Sequence, residues 1–168
     1  MVAKTSSNRL RMKEIQFRKA LLKDSIDLVE FQIRMALESE NLALDKSTVT
    51  KGVKALFDNP LLGQYYVVEN RDESQIMGCL LVTFEWSDWR NGLVWWIQSV
   101  YVDPEFRRAG VFTKLYQGVQ NLAMADASVR GLRLYVENHN ERAVRTYEKM
   151  GMDSTRYKVC EWLKENDF

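Results

Sequence analysis

Apolar and polar residues alternate around Ile15 and Phe17, the period-two pattern of a short strand. Asp24 is placed to cap a helix whose apolar face would be Ile26, Val29, Ile33 and Leu37. Polar residues 38–41 interrupt that period. A second helix is expected to start at residues 45–47, with Val49, Val53, Leu56 and Phe57 on one face. Asn59 and Pro60 would end it, because proline cannot continue the hydrogen-bond ladder. Residues 64–69 are aromatic and β-branched, residues 70–74 read as a turn, and residues 76–84 form an apolar run suited to a strand buried on both faces. Asn91-Gly92 is a strong hairpin signal, and residues 93–102 supply the returning strand, which Asp103-Pro104 stops. Helical spacing resumes at Val111, Leu115, Val119 and Leu122. Gly131 breaks the pattern, after which residues 132–136 alternate as a strand. Ala143, Val144, Tyr147 and Met150 share a last helical face, with Gly151 in the position of a left-handed cap. Residues 157–162 read as a closing strand. The order is strand, two helices, three-strand meander, helix, strand, helix, strand: an α/β fold with helices flanking a central, mixed and mostly antiparallel sheet.

Composition narrows the class. A chain of 168 residues with 46% apolar and 28% charged residues can bury a core as one domain without a metal or disulfide. The expected division is a flexible basic tail over residues 1–13, carrying Lys4, Arg9, Arg11 and Lys13, followed by a single domain over residues 14–168. The 24 basic residues against 23 acidic ones lack the basic excess of a nucleic-acid binder. Cys79 and Cys160 are too few and too distant for a zinc site or disulfide framework. No apolar run reaches the roughly 18 residues of a membrane span. A soluble, cytoplasmic protein with no nucleic-acid, membrane or metal partner is expected. Trp162 suits either the core or an edge contact in a homodimer.

Two stretches carry chemistry. Residues 100–112 read Val-Tyr-Val-Asp-Pro-Glu-Phe-Arg-Arg-Ala-Gly-Val-Phe: a strand, a proline stop, two arginines, a glycine, then a helix. Amides at a helix start lack partners within the helix, and its dipole favours an anion there. Arg108, Ala109, Gly110, Val111 and Phe112 could wrap a phosphate, with Arg107 and Arg108 adding charge-assisted bonds; a solvated turn would look the same in this segment alone. In the second stretch, residues 134–152, Asn140 has a helix-capping role available and Tyr147 a packing role.

Taken together, the two stretches resemble the GNAT acyltransferase superfamily. Its pyrophosphate loop, Arg/Gln-x-x-Gly-x-Gly/Ala, matches Arg107, Gly110 and position 112, where Phe112 departs from the small residue. Its later signature, Asn-x-x-Ala-x-x-x-Tyr-x-x-x-Gly, matches Asn140, Ala143, Tyr147 and Gly151. The element order agrees from residue 15 onward. The resemblance implies the GNAT fold and acetyl-CoA as co-substrate. The strand carrying Val100, Tyr101 and Val102 would lend its backbone to pantetheine and splay from the next strand. The loop would hold pyrophosphate, and Asn140 would support the pantetheine arm. Phe112 would have to point its ring away from the cofactor.

An amine attacks a thioester only as the free base, yet a lysine-like amine has a pKa of about 10.4. A base, donors for the carbonyl oxygen and an acid for the departing thiolate are therefore needed. Amides near Ser99 to Tyr101 suit the second task and Tyr147 the third. Residues 95–100 hold no carboxylate, so Glu85 is the first choice of base, directly or through water. His139 reads as an exposed loop histidine. Glu38, Glu40, Glu85 and Asp88, with Trp86, Trp89 and Trp96, suggest a pocket for a cationic amine. A small amine or polyamine is favoured, while a peptide N-terminus or lysine fits the same chemistry. A non-catalytic acyl-CoA sensor has no use for Tyr147 as an acid.

Overall fold

Hydrophobic alternation builds a five-stranded sheet in the order β1-β2-β3-β4-β5. The computed structural model describes residues 15–71, 75–136, 140–154, 157–160, 162 and 164, in two compact units divided after Arg133. The first unit runs β1 (Ile15–Lys19), α1 (Ser25–Glu40), α2 (Lys46–Asp58), β2 (Gln64–Asn70), β3 (Gln75–Ser87), β4 (Gly92–Val102), α3 (Val111–Ala125) and β5 (Val129–Leu134), whose last residue falls at the division. The second unit carries α4 (Glu141–Lys149).

The first four strands pair antiparallel, from Phe17↔Val68 through Val67↔Cys79 to Cys79↔Tyr101. β5 runs the other way relative to its neighbour. Its entry lies beside the start of β4, where the Leu93 amide donates to the Ser128 carbonyl at 2.8 Å and Arg130 donates to the carbonyls of Arg90 and Asn91 at 3.1 and 3.2 Å. Both strands start together and run parallel, so the sheet is mixed as expected. β4 has eleven residues and β5 six, so the end of β4 runs on past its partner.

On one face, Leu28, Val29 and Phe31 of α1 and Val53 of α2 pack with Tyr65, Val67, Cys79 and Tyr101. Each such aliphatic side chain contributes roughly 1.5–3 kcal/mol by leaving water. The alternate residues serve α3: Phe17 stacks on Tyr66 at 5.3 Å, and an added Cβ on Gly118 would strike the Phe17 ring. The second helix forms as the sequence indicates, with the Asp45 carboxylate accepting from the Thr48 amide at 2.7 Å and Asn59 closing it.

Several local expectations need correction. α1 turns a different face inward: Ile26 and Leu37 are exposed, and Leu28, Phe31 and Ala36 are buried in their place. Asp24 stands at the cap position without capping. Its buried carboxylate instead accepts from Arg18 at 2.6 and 3.1 Å and from the Leu21 amide at 2.7 Å. Asn91-Gly92 is not the two-residue turn. The loop is residues 88–91, Asn91 takes the left-handed conformation at φ 45°, and Gly92 already pairs with Ser87. Gly92 is needed there because a Cβ would lie 2.6 Å from the Ser128 carbonyl. Gly131 lies inside β5 rather than before it, with open space where its Cβ would be. Leu122 is partly exposed while Ala123 faces inward. Residues 157–160 are exposed and are not in a strand, and residue 161 of the expected closing strand lies outside the described residues. Residues 1–13 and His139 lie outside the described residues. Among the described residues, no helix is long and apolar enough to cross a membrane.

Candidate active site

The site begins with a fault in the ladder. Leu81 pairs with Ser99 but Val82 pairs with Ile97, so Gln98 is an extra residue in β4. Such a bulge leaves one residue out of the pairing and re-aims the strand beyond it. The displaced end holds Ser99, Val100, Tyr101 and Val102, where β4 outruns β5. The Ser99 hydroxyl is buried and has no hydrogen-bond partner among the described residues. Buried hydroxyls are nearly always paired, and exceptions concentrate at functional places.

Past Val102, Asp103 accepts from the Glu105 amide at 3.0 Å, and Pro104 opens a short 3-10 turn. The chain then takes two left-handed residues, Arg108 at φ 66° and Gly110 at φ 81°. Left-handed backbone is costly for a residue with a Cβ and is kept where the surroundings require it. Gly110 immediately precedes α3, and no side chain caps that helix. Among the described residues, chain neighbours aside, nothing lies within 4 Å of where a Gly110 Cβ would project. A helix N-terminus approached through open space, with two arginines beside it, fits an anionic phosphate. The Phe112 ring rests against Tyr116, one turn further along α3, at 6.4 Å between centroids.

Arg107 is already engaged. Its Nε donates to the Val102 carbonyl at 3.0 Å, its Nη2 donates to Glu38 Oε2, and its guanidinium lies 5.6 Å from the Tyr101 ring centroid. The Tyr101 hydroxyl donates to the other Glu38 oxygen at 2.9 Å. The Arg107 guanidinium holds the Glu38 carboxyl below the usual carboxylate range. Burial, and then the hydrogen bond to Glu38, push the Tyr101 phenol up. Nearby, Arg34 donates to Asp103 at 3.2 Å. The structure thus brings Glu38, Tyr101 and Arg107 together. The sequence singled out all three for other contacts but carried no signal for Ser99's buried hydroxyl or for Arg34.

Glu85 sits elsewhere. It pairs with Val94, seven residues before Tyr101, hence roughly 20 Å away along the strand. One carboxylate oxygen accepts from Arg133 at 2.7 Å and the other from the Trp96 indole, over which Arg133 also stacks. Trp86, Asp88 and Trp89 lie still nearer the hairpin end, with Trp89 90% exposed. The acidic and aromatic residues expected in one pocket therefore divide between the two ends of β4. Glu40 is exposed in the last turn of α1.

In the second unit, Asn140 caps α4 by accepting from the Ala143 amide at 3.1 Å. Tyr147 is half-buried on that helix. Gly151, at φ 86°, ends it, with the Gly151 amide bonded to Glu148 and the Met152 amide to Tyr147, the paired bonds of a left-handed cap. Among the described residues, no cluster of three or more His, Cys, Asp or Glu is placed to hold a metal ion.

Comparison with known proteins agrees with this geometry. The pattern of the Acetyltransferase (GNAT) family matches residues 33–152. A solved structure described as a possible acetyltransferase from Clostridium difficile 630 superposes with a TM-score of 0.84 at 39% identity, covering 90% of this chain and 99% of that one. An integron cassette protein from the mobile metagenome of Cole Harbour Salt Marsh shares the fold, with a TM-score of 0.75 at 23% identity over 89% of this chain and 91% of its own. Among curated proteins, thialysine N-epsilon-acetyltransferase of Bos taurus is 32% identical over 76 residues, 45% of this chain and 44% of the relative. The match therefore spans less than half of that relative's length.

Proposed function

The chain belongs to the GNAT acetyltransferase family, and we propose that it transfers the acetyl group of acetyl-CoA to a primary amine, a small cationic amine or polyamine, by direct attack in a ternary complex. The observation that carries this is the meeting of three features at one end of β4. These are a strand edge that outruns its neighbour, an open helix N-terminus behind Gly110, and a carboxylate at Glu38. The relative's name, an N-epsilon-acetyltransferase, supports an amine acceptor.

The loop residues fit the donor. Arg107, Arg108, Ala109, Gly110, Val111 and Phe112 would receive the pyrophosphate, with open space at Gly110 for its approach and the Phe112 ring turned to Tyr116. Val100, Tyr101 and Val102 would pair through their backbone with the pantetheine amides. Acetyl-CoA supplies the activated thioester; the remaining work belongs to the chain. Amides between Ser99 and Tyr101 would meet the charge that develops on the carbonyl oxygen, worth about 3 kcal/mol per well-placed donor. Asn140 would steady the pantetheine arm while capping α4. Tyr147 would protonate the departing sulfur.

Glu38 would serve as the counter-charge for the ammonium, and the proton would leave by water beside it. Glu85, tied to Arg133 and Trp96, would be a wall residue. Contact with Trp86, Asp88 and Trp89 would require an acceptor reaching roughly 20 Å along β4. The test is thiol release from acetyl-CoA across a panel of amines, with Tyr147→Phe alongside. A general acid contributes about 10²–10⁴-fold, so the variant should bind acetyl-CoA normally and turn over at least roughly a hundredfold more slowly. Equal turnover would remove Tyr147 from catalysis.

A further inference from the structure

Glu38 stands in an unfavourable place for a carboxylate. It lies in the last turn of α1, where the helix dipole is negative, and that turn holds no basic residue. Arg34, one turn earlier, is committed to Asp103. Both Glu38 oxygens are nonetheless satisfied, one by Arg107 and one by the Tyr101 hydroxyl. Arg107 is the only full positive charge bonded to Glu38 among the described residues, and it belongs to the loop that fits a phosphate.

We propose that Glu38 occupies Arg107 as an internal stand-in for the donor's phosphate, so that binding of acetyl-CoA draws Arg107 away and thereby unmasks Glu38 as the acceptor's ammonium site. This rests on the proposed acetyl transfer and adds to it a coupling between the two substrates. While Arg107 holds Glu38, an approaching ammonium meets a neutralised carboxylate. Once the guanidinium turns to the pyrophosphate, Glu38 keeps one hydrogen bond, from the Tyr101 hydroxyl, and has no bonded counter-ion among the described residues. Arg34 is bonded to Asp103 and acts on Glu38 only through space. A cationic amine supplies the bonded counter-ion. The ion pair is about half exposed on both sides, with 45% and 43% of the side chains accessible. Exposed pairs are weak, so a phosphate can displace this one. The device selects for a charged amine and loads the donor first.

Calorimetry separates this proposal from the reading beneath it. Coenzyme A is titrated into the wild type, Glu38→Gln, Arg107→Ala and the double variant, and spermidine is titrated with and without coenzyme A. Both side chains lie on the surface, and matching melting curves would confirm folding. Glu38→Gln should bind coenzyme A roughly two- to fivefold more tightly, because Arg107 no longer has to be released. Arg107→Ala should bind it more weakly, and adding Glu38→Gln to Arg107→Ala should change nothing further. Spermidine should bind the wild type roughly two- to fivefold more tightly with coenzyme A present, and bind Arg107→Ala equally well with and without it. Unchanged or weaker coenzyme A binding by Glu38→Gln, with Arg107→Ala still impaired, overturns the coupling and leaves acetyl transfer standing. Equal spermidine affinity in the presence and absence of coenzyme A does the same. No coenzyme A binding by the wild type overturns both.

Discussion

Gly78→Ala tests whether the end of β4 is held where acetyl transfer needs it. Gly78 pairs with Val102, and an added Cβ would lie 2.7 Å from the Tyr101 carbonyl oxygen and 3.1 Å from Val111 Cγ1. A tolerable carbon–oxygen approach is about 3.3 Å, so the strand end must yield by roughly 0.6 Å on that scale. Overfilling of this kind costs about 1–3 kcal/mol. With a urea dependence of about 2 kcal/mol per molar, the unfolding midpoint should fall by roughly 1 M. The moved carbonyl belongs to the edge proposed to pair with pantetheine. Losing one such hydrogen bond, about 1 kcal/mol, should weaken coenzyme A binding between three- and tenfold on that estimate. Gly131→Ala is the control, since among the described residues nothing lies within 4 Å of its added Cβ. It should be neutral or more stable, with coenzyme A affinity unaltered. If Gly78→Ala proved as stable as Gly131→Ala, the close approach of β3 to Tyr101 would be refuted.

Gly110→Ala places a Cβ in open space but at φ 81°, so the expected cost is about 1–2 kcal/mol of strain, with coenzyme A affinity reduced in calorimetry. Gly52→Ala, inside α2 with no atom nearby, should raise stability by about 0.5–1 kcal/mol in urea unfolding. Burial pushes the Asp24 carboxyl up, but Arg18 and the Leu21 amide outweigh it, leaving the group below the ordinary range. A depressed carboxyl stabilises the fold above its unfolded pKa, about 3.9, and that support is lost as pH falls through the folded value. Arg18→Met should cost about 3 kcal/mol at neutral pH by stranding a buried carboxylate and should reverse this acid dependence, since burial then raises the Asp24 carboxyl and protonation relieves the penalty. The acetyl-transfer rate should climb with pH as the free-base fraction of the amine grows, levelling near the amine's own pKa of about 10. A plateau near pH 7 would require a dedicated base in the chain.

Much of this molecule is legible in the residues, for identifiable reasons. Asp45, Pro60, Pro104, Gly110 and Gly151 act locally, through a cap, a missing amide or a left-handed turn, and each marks its boundary in the structure. The inward face of α1 was harder to read. Ile26, Leu28, Val29, Phe31, Ile33, Met35, Ala36 and Leu37 cover most of the helix circumference, so periodicity establishes a helix without choosing its side. The hairpin signal at Asn91-Gly92 found the right bend and missed its geometry, because the need for glycine comes from Ser128, a partner brought in by a later strand. The same limit divided the acceptor residues. Glu38 and Arg107 are 69 positions apart, and no local pattern announces their contact. Glu85 suggested a base by its place before the loop, but its pairing with Val94 and its capture by Arg133 are set by sheet register.

The most direct measurement is thiol release from acetyl-CoA with spermidine as acceptor, with the product weighed by mass spectrometry. Acetyl transfer to a primary amine predicts saturable release of coenzyme A, one acetyl mass added to spermidine per thiol freed, and both falling together in Gly110→Ala at sub-saturating acetyl-CoA. Acetyl-CoA binding with no acetylated product from spermidine, other small amines, lysine peptides or free peptide N-termini would contradict it.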